Sequence, residues 1–382
     1  MADLSRLMDV LSSVPDPRIE RTRRHDLVDI LVIALLSVLC GAESFVDMED
    51  FGEAKHEWLK DHLGLLNGIP SHDTFARVLS RIEPDALSRC LTTLLSTLKE
   101  NVAKESSETN TTEVIAIDGK TLRRSYDTAK GQAPLHLVSA WANEARVVLG
   151  QVAVDAKSNE ITAIPALIDL VDVKGCVVTL DALGCQKAIA KKIVEKGGDY
   201  VFALKANQGL FYEDVRLYLA DAHSEGFRDV PHTFCETTDY GHGRTETRRC
   251  FVVTQIDWLK ERHPDWEKLS SMVLIESVRT QGHKTSTEQR LYISSLTTDA
   301  KNMTSVVRAH WGIENSLHWV LDVVFGEDLC RVRKDHAAQN LAILRHLALN
   351  LVRADNTSKS SLRVRRKRAG WDNNYLQFLL TD

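Results

Sequence analysis

Apolar and polar positions divide this chain into a helical first quarter and a remainder in which strands and helices alternate. Residues 27–40 form an apolar run containing only Asp29 and Ser37 as exceptions of note. A bilayer span needs roughly 20 apolar residues, so a run this short predicts a buried core helix. Phe45, Met48, Phe51, Ala54, Trp58 and Leu59 recur at helical spacing and predict a second helix over 45–62. The turn-rich stretch 68–74 then offers N-caps to a helix running through Ile82. Residues 101–113 are polar and rich in Ser and Thr, which predicts a linker after a helical domain at 1–100.

Beyond the linker the period changes. Residues 114–117, 135–141 and 146–154 predict three successive strands, the last two joined by a hairpin at 142–145. A helix at 161–171, a strand at 176–180, a helix at 185–195 and a strand at 200–204 follow. Three meandering strands and then alternating helix and strand predict a mixed α/β sheet in the order of a ribonuclease-H-like core. No glycine-rich nucleotide-binding loop is present. At about 207–297 a helix and four short strand-like runs predict a β-rich insertion within a domain spanning 114–352. Helices are expected at 299–325, with Asp299 as N-cap, and at 335–353. A basic tail occupies 353–382.

Composition narrows the function classes. The hydrophobic and charged fractions, 43% and 26%, are those of an ordinary globular protein. A net charge of -5 means that any nucleic-acid binding must rest on local patches. Seven scattered cysteines without a C-x-x-C pair argue for a reducing compartment and against structural zinc. The first six residues lack the layout of a secretory signal, and a cytoplasmic protein without membrane partners is expected. Two basic features are open to two readings each. Arg77 and Arg81 follow a helix and a turn, either as a DNA-reading helix-turn-helix or as solvated arginines on a packing helix. The acid-free run 359–368 is either a solvated face or a phosphate-contacting arm.

Candidate chemistry centres on three carboxylates. Ile115-Ala116-Ile117-Asp118-Gly119-Lys120 and Val178-Thr179-Leu180-Asp181-Ala182 each read as a buried strand ending in an aspartate, a residue that strands disfavour. On the 299–325 helix, Val307, Trp311, Glu314, Leu321 and Phe325 fall on one stripe, flanked by His310 and His318. A glutamate on such a stripe is costly to bury unless paired or bound to a cation. It fits a buried glutamate held by histidine, a zinc site with His310 and His318, or a partner of the two aspartates. Only the last explains all three acids. If the first and fourth strands are neighbours, Asp118 and Asp181 emerge side by side and the helix brings Glu314 opposite. Such hard oxygen ligands suit two Mg²⁺ or Mn²⁺ ions acting on a phosphodiester.

These residues resemble those of DDE transposases, in particular the H-repeat-associated group of bacterial insertion sequences. The resemblance rests on Ile117-Asp118-Gly119-Lys120, Leu180-Asp181-Ala182-Leu183-Gly184-Cys185-Gln186, Leu204-Lys205-Ala206-Asn207-Gln208, Gly241-His242-Gly243-Arg244 and His310-Trp311-Gly312-Ile313-Glu314-Asn315-Ser316-Leu317-His318-Trp319. It implies a DNA-binding N-terminal domain, a ribonuclease-H-like core interrupted before the glutamate, and metal-dependent cleavage and strand transfer at the ends of an element. It further implies double-stranded DNA as partner and a homodimer or larger assembly when active. The chain departs from the wider family's Tyr-x2-Arg-x3-Glu-x6-Lys signature: Val307, His310 and Leu321 replace the Tyr, Arg and Lys. His310, Asn315 and His318 are therefore candidates for the DNA contacts of that helix, and Lys205, Arg244 and Arg248 for phosphate contacts elsewhere. The rival readings are a DNA-binding derivative without catalysis and a plain metal-dependent nuclease that cuts without joining.

Overall fold

The computed structural model describes residues 4–90, 92–94, 112–127, 131, 133–154, 158–241 and 243–380. Most of the expected linker, and His242, lie outside these. The first helices are α1 (Ser5–Ser12), α2 (Leu27–Cys40), α3 (Phe45–Ala54), α4 (His56–Lys60) and α5 (His72–Leu79). The helix expected over 45–62 is thus two, broken at Lys55. α2 has the predicted bounds: the Asp26 side chain accepts from the Val28 N–H at its start, and Gly41 ends it at φ 119°. Ile30 through Leu36 are fully buried, and each of the Ile, Leu and Val side chains contributes about 1.5–3 kcal/mol through burial. Among the described residues, no single helix is long and apolar enough to cross a membrane.

Among the described residues, nine strands form one sheet: β1 (Val114–Thr121), β2 (His136–Ala142), β3 (Val147–Ala153), β4 (Val177–Leu180), β5 (Asp199–Leu204), β6 (Thr233–Gly241), β7 (Arg244–Val253), β8 (Ser271–Gln281) and β9 (Lys284–Ser294). Their order is β3-β2-β1-β4-β5-β9-β8-β7-β6. β1, β4 and β5 run parallel, and the other pairings are antiparallel. The segment expected as an insertion does not form a sheet of its own. Its two hairpins extend the main sheet through β5 and β9, where Val201 to Leu204 pair with Ser294 to Leu291.

The remaining helices are α6 (Glu160–Leu170), α7 (Lys187–Glu195), α8 (Leu210–Ser224), α9 (Asp257–Arg262), α10 (Ala300–Gly312), α11 (Trp319–Phe325), α12 (Ala337–Ala354), α13 (Leu362–Trp371) and α14 (Asn373–Phe378). One sheet face, with Ile115, Ile117, Val178, Leu180 and Phe202, packs against α6, α7 and α8. On the other, Val114, Val177 and Val201 meet α10. Ala116, Trp141 and Val148 on that face join a core shared by α1–α5, α11, α12 and the last helices. Because helices cover both faces, the central strands read as continuous apolar runs. The basic segment is not a free arm. It forms α13, where the buried Arg366 donates to the carbonyls of Val38 at 2.7 Å and of Val324.

Candidate active site

Asp118 does not end its strand. Gly119, Lys120 and Thr121 go on pairing with Val138, Leu137 and His136, so the carboxylate stands inside β1. Asp181 directly follows β4, and its Oδ1 accepts from the N–H groups of Leu183 at 2.9 Å and Gly184 at 3.2 Å. Ile117 pairs with Leu180 across the parallel strands, so the next residue on each strand is one of the two aspartates. Alternation puts both on the face that carries α10. Burial pushes Asp118 up to about 7 against the pull of the Gly119 N–H, and the charges of Glu160, Asp181 and Glu314 raise it further. Asp181 and Glu314 therefore each lie within electrostatic reach of Asp118.

Glu314 sits where the long helix changes character. Between α10 and α11, Ile313–His318 forms a π-turn, in which the wider spacing shifts the side-chain register. α10 buries Met303 and Val307 in one core, while Ile313, Leu317, Leu321 and Phe325 face the other. The single stripe expected from a uniform helix is thereby broken. Val307, Leu321 and Phe325 are buried, but Trp311 is 41% exposed and Glu314 is exposed. The buried-glutamate reading is overturned, because the turn directs this side chain outward. The zinc reading fails too. His310 Nδ1 lies 3.0 Å from Thr179 Oγ1, and His318 Nδ1 lies 3.6 Å from Asp118 Oδ2. Burial keeps both rings toward the neutral form, His318 pushed down to about 4. Gly312 allows the close approach of the helix to the sheet: a Cβ there would fall 2.3 Å from Asn143 Oδ1.

The other expected residues lie in different settings. Lys205 is exposed just beyond β5. Arg244 opens β7, with Glu246 at 4.0 Å, and Arg248 pairs with Asp239 and Glu246, both at 2.6 Å. Asp239 also holds Arg308 of α10 at 2.9 Å, which ties the outer hairpin to the helix. Asn315 is exposed and donates to the Trp311 carbonyl at 3.0 Å. Arg290 stacks over Trp311, 5.1 Å from its ring centre.

Two features went unassigned in the sequence. Lys120 turns into a buried charge cluster, bonding to Asp322 and, at 2.7 Å, to Glu327, which is 3% exposed. Arg345 approaches Glu327 at 3.9 Å, and buried His346 completes the cluster. Glu160 and His136 lie beside Gly119. The signal available for the last pair was the glycine itself, since a glycine inside a strand marks a close approach.

Residues 109–351 match the family model described as "Transposase DDE domain". The chain belongs to the DDE transposase family. Residues 8–95 match a second model, described as "DDE_Tnp_1-associated". The chain is 39% identical over 387 aligned residues to the protein YbfL of Escherichia coli K12, covering 99% of this chain and 98% of the relative. It is 38% identical, with the same coverage, to the "H repeat-associated putative transposase YhhI" of the same strain. Against the "Putative transposase YncI" of Escherichia coli O157:H7 the identity is 39%, covering 98% and 94%.

Family membership implies divalent metal ions, and the donor chemistry fits them. Asp118, Asp181 and Glu314 are all carboxylates, and their mutual repulsion is the kind a divalent cation relieves. Among the described residues, no three His, Cys, Asp or Glu side chains already stand close enough to hold one. Binding a metal would therefore have to draw the three together.

Proposed function

We propose that this transposase cleaves DNA at the ends of its element and transfers the freed 3′ ends into target DNA, using Asp118, Asp181 and Glu314 as metal ligands and catalytic groups. The observation carrying this reading is that two of the acids stand in step on β1 and β4, the third lies on the helix crossing that face, and both Asp181 and Glu314 act electrostatically on Asp118. The five strands β3-β2-β1-β4-β5, with α6 and α7 on one face and α10 on the other, support a ribonuclease-H-like core. Two bound Mg²⁺ or Mn²⁺ ions would supply activation of the attacking oxygen and neutralise charge on the leaving one.

The chain's own residues orient the reaction. The turn N–H groups of Leu183 and Gly184 hold Asp181 in place. His310, anchored to Thr179, and neutral His318 beside Asp118 line the approach to the acids. Exposed Lys205 and Asn315, together with Arg244 and Arg248, are assigned to DNA, with Arg248 exchanging a carboxylate partner for a phosphate on binding. The N-terminal domain at 1–100 supplies further double-stranded DNA binding, the active form is a homodimer or larger, and the site of action is cytoplasmic. Purified protein should nick labelled DNA from the flanks of its gene in Mg²⁺ or Mn²⁺ and then join the 3′ end to a second duplex. Binding without cleavage would support a non-catalytic derivative, and cleavage without joining a plain nuclease.

A further inference from the structure

A fourth carboxylate approaches the same stretch of β1, from the sheet face opposite the one that carries α10. Glu160 opens α6 immediately after its N-cap Asn159, and its side chain is only 18% exposed. Its Oε1 lies 2.6 Å from His136 Nε2, while His136 Nδ1 lies 2.8 Å from Thr121 Oγ1 on β1. A carboxylate oxygen only accepts, so Nε2–H donates to Glu160, and the Thr121 hydroxyl holds the other side of the ring. The pair sits directly over Gly119, next to Asp118. A Cβ at position 119 would fall 2.2 Å from Glu160 Oε1 and 2.6 Å from His136 Nε2, closer than real contacts come. Any other residue there would push the carboxylate away.

We propose that Glu160 is a fourth carboxylate of the metal site, oriented by His136 and admitted by Gly119; this rests on the DDE reading above. A helix–sheet ion pair needs no glycine beneath it and no second acid beside it. Among the charges acting on Asp118, that of Glu160 comes first, ahead of Asp181 and Glu314. Such crowding is unfavourable in the metal-free protein and is relieved by a divalent cation. Metal-bound carboxylates are themselves held by hydrogen bonds, the part His136 plays here.

The test is Mn²⁺ binding to the full chain without DNA, by calorimetry and by the spectrum of free Mn²⁺, with thermal unfolding in EDTA alongside. Glu160→Gln should weaken binding at least about tenfold while unfolding in EDTA at the same or a higher temperature. Gly119→Ala keeps every carboxylate but displaces Glu160, and should weaken binding as well. If Glu160→Gln binds as wild type while Asp118→Asn does not, the fourth ligand is refuted and the DDE reading stands. If Asp118→Asn also binds as wild type, both fall. If Glu160→Gln fails to fold, normal Mn²⁺ binding by Gly119→Ala refutes the proposal on its own.

Discussion

At the scale of single residues, a group's surroundings decide its role more than its type does. Three acids of the proposed site differ in this way: Asp118 is half-buried and pushed up to about 7, Asp181 is held by two turn N–H groups, and Glu314 is exposed. His346 makes a separate prediction about pH. Burial pushes its ring down to about 4 from an ordinary 6.5, with the Lys120 and Arg345 charges acting in the same sense and Glu327 opposing. The unfolded chain takes up this proton as pH falls through 6.5, and the folded chain resists until near 4. Stability is therefore full above 6.5 and declines between 6.5 and 4, by on the order of 1–2 kcal/mol at pH 5. Urea midpoints at pH 5 and 7.5 should show this gap, and His346→Gln should narrow it. An unchanged gap in the variant would place the acid sensitivity elsewhere.

Among elements, what could be read from sequence followed burial. α2 and β2–β5 lie within a few residues of their expected bounds, because the apolar run ends where cover by the opposite layer ends. β6–β9 run longer than their apolar patterns. The outer half of β9, from Lys284 to Gln289, is exposed and polar, and its pairing with β8 rather than burial keeps it a strand. The π-turn was beyond reach because a stripe plotted at about 100° per residue assumes a uniform helix. Two cores on one sheet face impose the change of register, and that change exposes Glu314. The sequence reads Asp118 as a strand end, whereas the pairing of Lys120 and Thr121 with β2 carries β1 past it. Lys120 in turn links β1 to the segment after α11. Lys120→Met should leave buried Glu327 without its closest cation and cost about 3–5 kcal/mol in urea unfolding. A cost below about 1 kcal/mol would mean that Glu327 is neutral in the fold.

In the whole molecule, the helices at the two ends of the chain belong together. α2 packs against α12 and α13, Arg366 binds carbonyls of α2 and α11, and Asn340 of α12 donates to the carbonyls of Leu79 and Ile82. Composition alone showed a basic run at 359–368 and could not show that Arg366 points inward, since burial of an arginine depends on carbonyls supplied by distant segments. A chain truncated after Ala354 should lose cooperative unfolding of α1–α5 along with the tail, seen as a shallower thermal transition. A sharp transition at the wild-type temperature would show the tail to be independent. The central claim, that three acids from two strands and a helix form one metal-dependent centre, is tested most directly by Mg²⁺-dependent nicking of DNA flanking the gene. Wild type is compared with Asp118→Asn, Asp181→Asn and Glu314→Gln, each first shown to unfold like wild type and to bind the same DNA. Each substitution should reduce the nicking rate by at least about a thousandfold, a loss of roughly 4 kcal/mol in transition-state stabilisation. Wild-type nicking by any one of the three would contradict it.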